Sequence, residues 1–309
     1  VVATQVETGS VESTDGTVIS YRTIGRGPGL LLVPGALAVA ADLDGFAAAL
    51  ASGFTVHTIE RRGRGASGPQ GDAYTAAKEL ADLEAVRAAT RARFVVGHSF
   101  GGFLLLEALR NTGATAGSGA PVGVGAPVGV GVGAFDGAAA YEPGVLLDGV
   151  GPVTLEWARR CQDELDRGRP RQAFITFVRG VNPETTGRVP RALLGLILAF
   201  AIRPAERRRK HALLGGTIRE HQEAARVANQ PDRYRAITTP TLLMAGRGSA
   251  DTAAGRATRQ LAGILPRASL VTFGDLDHFG PERAPRRVAA AVADFFAAVG
   301  TSGSARAER

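Results

Sequence analysis

Five consecutive residues, Gly97-His98-Ser99-Phe100-Gly101, carry the spacing G-x-S-x-G, which on a strand-to-helix turn exposes a serine as a nucleophile. They follow the apolar run Phe94-Val95-Val96 and precede a helical stretch over 103–109. The turn strains the serine backbone, and Gly97 and Gly101 keep Cβ atoms away from the neighbouring strand and helix. Ser99 Oγ is then held above the sheet edge at a helix start, where backbone N–H groups point outward. A serine hydroxyl is a poor nucleophile at neutral pH, so such a site needs a base and donors for an oxyanion. In a chain with 41 glycines the pattern alone arises easily by chance. The flanking strand and helix give it weight.

The elements that would position this serine alternate. A hairpin spans 11–25 with Asp15-Gly16 at its turn, and strands are predicted at 29–33, 54–59, 94–96, 138–142, 241–245 and 269–273. Helices fall at 46–50, 75–90 (Leu80, Leu83 and Val86 at helical spacing), 252–265 and 288–299. This order predicts an α/β fold with a mainly parallel sheet. Residues 143–236 lack strand patterns and read as helices at 153–165, 171–181, 189–202 and 206–227. The core is therefore assigned to 1–142 and 237–299, and an all-helical insertion to 143–236. Residues 112–137 form a Gly/Pro/Val-rich insert with a tandem repeat, Gly-Ala-Pro-Val-Gly-Val, expected as a surface loop at the N-terminal strand edges, away from the chemistry. The polar tail 300–309 is expected to be disordered.

Composition narrows the function classes. A 45% hydrophobic chain of 309 residues can bury a large core, but no apolar run reaches the roughly 18 residues of a membrane span. No basic-then-apolar leader opens the sequence, and the single Cys161 allows no internal disulfide, so a cytoplasmic setting is expected. No Cys/His cluster has metal spacing. The net charge of +7 is densest at Arg207-Arg208-Arg209-Lys210-His211. No aromatic residues interleave with that run, so it reads as a solvated helix face rather than a nucleic-acid patch.

With the elbow, elements and insertion in this order, the chain resembles the α/β-hydrolase fold family, in its serine branch with a helical cap after the sixth strand, across about residues 11–299. The resemblance makes Ser99 the nucleophile and places oxyanion donors on the loop after strand 29–33 and just after the nucleophile. Those are the Ala36 N–H, with Gly35 as the other option, and the Phe100 N–H. The family's usual His-Gly pair at the start of that loop is here Pro34-Gly35. His278, in Leu276-Asp277-His278-Phe279-Gly280-Pro281, stands where the family's base lies. The acid departs from the common pattern. Its usual place holds Ser249, and Asp251, two positions later, could simply cap the helix that begins at Thr252. Glu142, in Tyr141-Glu142-Pro143, ends the preceding apolar strand and needs a partner there. It resembles the placement in some family members and is preferred, with Asp251 as the alternative. Glu60-Arg61-Arg62-Gly63-Arg64-Gly65-Ala66-Ser67 resembles the family's Asp-x-x-Gly-x-Gly-x-Ser loop, whose role is structural.

The expectation is a cofactor-free, metal-free serine hydrolase acting on an ester, lactone or thioester of a small apolar substrate through an acyl-enzyme. A carbon–carbon hydrolase or haloperoxidase-like enzyme on the same triad is one alternative, and a non-catalytic ligand-binding protein is another. Leu193, Leu196, Ile197 and Phe200 read as core of the insertion in preference to pocket lining. The expected partner is a small-molecule substrate, with neither nucleic acid nor membrane, and the oligomeric state is open.

Overall fold

The computed structural model describes residues 5–112, 132–147, 149, 153 and 155–307. Eight strands form one sheet in the order β1-β2-β4-β3-β5-β6-β7-β8. They are β1 (Glu7–Glu12), β2 (Val18–Ile24), β3 (Gly29–Val33), β4 (Thr55–Ile59), β5 (Phe94–His98), β6 (Gly137–Tyr141), β7 (Thr241–Gly246) and β8 (Ala268–Phe273). β1 and β2 pair antiparallel, β2 pairs antiparallel with β4, and every other pairing is parallel. The sheet is the expected α/β arrangement.

Strand alternation sorts side chains into two layers, because successive Cβ atoms point to opposite faces. Leu31, Val33, Val95, Ala138 and Ala140 face a core closed by α2 (Ala76–Thr90), α3 (Phe100–Arg110) and α9 (Ala253–Ile264). Leu30, Leu32, Phe94, Val96, Ala139 and Tyr141 face the other, closed by α1 (Asp44–Leu50) and α11 (Pro285–Ala307). Being covered on both faces explains why β3 and β5 read as continuous apolar runs.

Between β6 and β7 lie α4 (Glu156–Asp166), α5 (Pro170–Val181), α6 (Pro183–Thr186), α7 (Arg191–Ala201) and α8 (Pro204–Arg226). They build a third core from Ala158, Cys161, Ala173, Phe174, Phe177, Leu214 and Ile218. Cys161 is part of it, and burial pushes its thiol up to about 12. A last short helix, α10 (Gly280–Arg283), precedes α11.

Helix α11 extends to Ala307, into the segment 300–309. Gly300 and Gly303 weaken that stretch by about 1 kcal/mol each without ending it. One expectation is corrected. Leu193, Leu196, Ile197 and Phe200 are not core but solvent-exposed. Of the insert 112–137, residues 113–131 lie outside the described residues. Its C-terminal end packs down, with Val132 and Phe135 buried and Asp136 N–H donating to the Arg93 carbonyl at the N-terminal edge of the sheet.

Candidate active site

Ser99 follows β5 with φ 54° and ψ −121° and caps α3. The tightness of the elbow is measured by its glycines. A Cβ on Gly97 would lie 2.5 Å from the Gly101 carbonyl oxygen, and one on Gly101 2.1 Å from that of Val33. Ser99 N–H donates to the Tyr141 carbonyl (3.0 Å), and Gly144 N–H donates to the Ser99 carbonyl (2.7 Å). The ends of β5 and β6 therefore lock the turn together, as their register of His98 opposite Tyr141 requires.

Glu142 is the first residue beyond β6. It is fully buried and adopts φ 40°. Its Oε1 accepts from Gly246 N–H (2.9 Å), and its Oε2 lies 2.8 Å from His278 Nδ1. A carboxylate only accepts, so Nδ1 carries the hydrogen and the ring's lone pair sits on Nε2. Three further bonds fix the His278 loop. Tyr141 hydroxyl donates to the Asp277 carbonyl (2.7 Å), His98 Nε2 donates to the His278 carbonyl (2.8 Å), and Gly248 N–H donates to the Leu276 carbonyl (2.9 Å). Burial lowers the His98 pKa, which keeps this ring neutral beside His278.

Asp251 is exposed, and Glu142 is the carboxylate that meets His278. The helix cap expected of Asp251 belongs to Thr252, whose Oγ1 accepts from Gly255 N–H at 3.2 Å. Ser249, at the position where the family's acid usually stands, is buried.

The loop after β3 lies against the nucleophile: a Cβ on Gly35 would be 3.5 Å from Ser99 Oγ. Arg61 Nη1 donates to the Gly35 carbonyl (3.1 Å), and Arg64 Nε to the Ala38 carbonyl (2.9 Å). The Gly35 carbonyl and the Ala36 N–H belong to one planar peptide and point in opposite directions. Anchoring the carbonyl therefore aims the N–H. The Arg61 guanidinium also lies 4.7 Å from the Phe100 ring centre, so one side chain meets both the Gly35–Ala36 peptide and Phe100.

This anchor is itself neutralised from two sides. Arg61 makes a two-point bond to Glu79 of α2 (2.5 and 2.7 Å) and reaches Glu220 of α8 at 3.1 Å, while Arg64 meets Glu220 at 2.6 Å. Burial alone would make the Arg61 guanidinium easier to deprotonate. Glu220 and Glu79 outweigh it and raise its pKa, and Arg61 in turn holds the Glu79 carboxyl below its usual value. Leu37, next in the loop, has φ 56° and packs in the core of the helical insertion. On α8, the His221 ring lies 6.4 Å from Phe100, 5.3 Å from Trp157 and 5.4 Å from Phe177 between ring centres.

Sequence reading assigned the 60–67 loop a structural role but missed Glu79, Glu220 and His221. The local signal was a carboxylate or imidazole within each helical pattern, and their partners are remote in the chain. Among the described residues, no group of three or more His, Cys, Asp or Glu is placed to hold a metal ion, and no helix is long and apolar enough to cross a membrane.

Comparison with known proteins agrees with this fold. Among curated proteins no relative matches the chain. An alpha/beta hydrolase from Sphaerobacter thermophilus has a similar structure, with 29% identity, TM-score 0.73, and coverage of 93% of this chain and 100% of that one. An esterase from Rhodococcus sp. (20% identity, TM-score 0.64, 94% and 99% coverage) and a putative aryl esterase from Burkholderia cenocepacia (19%, 0.67, 96% and 100%) share the fold. The sequence profile of the alpha/beta hydrolase family matches residues 30–291, and the chain belongs to that family.

Proposed function

We propose that this hydrolase is a serine esterase or lactonase that cleaves an ester, lactone or thioester of a small apolar substrate through an acyl-enzyme. The observation that carries the reading is the 2.8 Å contact between His278 Nδ1 and the buried Glu142 carboxylate, beside a serine on a strained elbow. In this mechanism His278 Nε2 takes the Ser99 Oγ proton as the oxygen attacks the substrate carbonyl. Glu142 fixes the ring tautomer and stabilises the imidazolium that forms. The Ala36 and Phe100 N–H groups receive the oxyanion, with the first aimed by Arg61 through the Gly35 carbonyl. His278 then protonates the leaving group. Water, deprotonated by the same ring, attacks the acyl carbon and releases the acid and Ser99. In this reading the insertion 143–236 serves as the cap, and its packed Trp157, Phe177 and His221 rings face the elbow through His221 and Phe100.

A fluorophosphonate probe tests the reading. It should label Ser99 in the folded protein, with labelling lost in Ser99→Ala and strongly slowed in His278→Ala. Folded protein that resists the probe would refute it.

A further inference from the structure

Helix α7 (Arg191–Ala201), of sequence RALLGLILAFA, is apolar all round. A helix of that kind is normally covered on every side. Here only one side is covered: Leu194 is buried, and Gly195 sits against Ile175 of α5. Leu193, Leu196 and Ile197 are each about half exposed, and Phe200 is 84% exposed. Their positions, i, i+3, i+4 and i+7, make one continuous stripe.

The surrounding charge is strongly one-signed. Segment 188–210 carries seven Arg or Lys residues against the single acid Glu206. The acids that reach this region are already engaged: Glu206 with Lys210, Asp42 with Arg209, and Glu164 with Arg191. Arg188 and Arg203, which bracket α7, and Arg208 on α8 are exposed and make no ion pair among the described residues. An apolar stripe with unpaired cations just beyond both ends of its helix complements a surface that is apolar inside and anionic at its rim.

We infer that α7 is a docking face for an anionic lipid surface, lying in the headgroup layer with Leu193, Leu196, Ile197 and Phe200 toward the acyl chains and the arginines at the phosphates. The sequence-based expectation of no membrane partner rested on the lack of a spanning run, and a helix of 11 residues lying flat needs none. A second copy of the chain is a poorer occupant, because two such faces would bring like-charged rims together.

The test is co-sedimentation of the full chain with phosphatidylcholine vesicles, with or without an equal share of phosphatidylglycerol. The chain should pellet with the mixed vesicles and stay in solution with phosphatidylcholine alone. Arg203→Gln with Arg208→Gln should weaken binding by about 25-fold, near fivefold per charge. Leu196→Asp with Phe200→Asp should weaken it by at least about tenfold. Both double variants alter exposed side chains and should keep the helical circular dichroism. They should also keep p-nitrophenyl acetate hydrolysis in vesicle-free buffer, which separates failure of docking from failure of the proposed chemistry. Equal pelleting with both vesicle types, variants that pellet like the parent, or a dimer dissolved by the aspartates would each overturn the inference.

Discussion

Replacing Glu142 by Gln changes one atom type at the centre of the proposed triad, and the surroundings dictate the consequence. Gly246 N–H donates to Oε1 at 2.9 Å, so it selects the carboxamide oxygen for that position. The NH2 group is then left where Oε2 stood, 2.8 Å from His278 Nδ1. Two donors cannot face each other, so the ring must bare Nδ1 and carry its proton on Nε2. That tautomer cannot accept the Ser99 proton. Turning the amide over would instead set NH2 against Gly246 N–H in a fully buried place, at a cost of about 1–3 kcal/mol. Glu142→Gln should therefore lower kcat by about 10³- to 10⁴-fold, equivalent to about 4–5.5 kcal/mol, with KM little changed. The assay is p-nitrophenyl acetate hydrolysis, with fluorophosphonate labelling slowed in parallel and the fold checked by circular dichroism. Asp251→Asn should stay within about twofold of the parent. A folded Glu142→Gln enzyme within about tenfold of the parent, alongside an inactive Asp251→Asn, would refute the reasoning.

Arg61→Lys keeps the charge but cannot hold Glu79 at two points and the Gly35 carbonyl together, so kcat should fall about tenfold with KM unchanged in the same ester assay. Arg61→Met strands Glu79 as a buried carboxylate, leaves Glu220 to Arg64 as its one cation partner, and should cost about 3–5 kcal/mol in urea unfolding. Parental stability would contradict the anchor. Gly101→Ala would place a methyl 2.1 Å from the Val33 carbonyl oxygen. It should abolish probe labelling of Ser99 and lower the thermal midpoint, and an active variant would show that the elbow is looser than described. Burial lowers the pKa of His57, His98, His211 and His221 below the usual imidazole value. The unfolded chain thus binds more protons than the native state between the two sets of values. The associated stability is present above the unfolded value and is lost as pH falls through the folded ones. The thermal midpoint should decline from about pH 7 to about pH 5, and a flat profile would contradict the buried neutral rings.

The strands were legible because buried parallel strands are short apolar runs bounded by Gly and Pro, as at Gly29–Val33 ahead of Pro34. Ser99 was legible because an elbow leaves a local steric signature. Glu142 was legible because a carboxylate closing the run Ala138-Ala139-Ala140-Tyr141 has no local reason to be there. The Arg61–Glu79–Glu220 bridge was not, since its members come from a loop, a core helix and the insertion, and charge partners remote in sequence leave no periodic trace. Helix α7 failed for another reason. Residues apolar on every side mark a helix that prefers cover, but sequence does not say which sides the rest of the chain covers.

Backbone strain ties the site's parts together. Five non-glycine residues among those described have positive φ: Leu37, Arg91, Ser99, Glu142 and Asn229. Three of the five are at the site, and each such conformation costs on the order of 1–3 kcal/mol. Each of the three is held by a different neighbour. Ser99 N–H is bound by the Tyr141 carbonyl, Glu142 is fixed by Gly246 and Met244, and the Leu37 side chain is buried in the insertion's own core. The donor loop is therefore positioned from above by the insertion and from below by Arg61, whose second carboxylate, Glu220, also comes from the insertion. It follows that the helical insertion also helps hold the loop after β3 in place. Loosening α8 against the core should release Leu37 and Glu220 together, and with them the Gly35–Ala36 peptide proposed to hold the oxyanion. Activity should then respond to insertion packing through kcat as well as through KM.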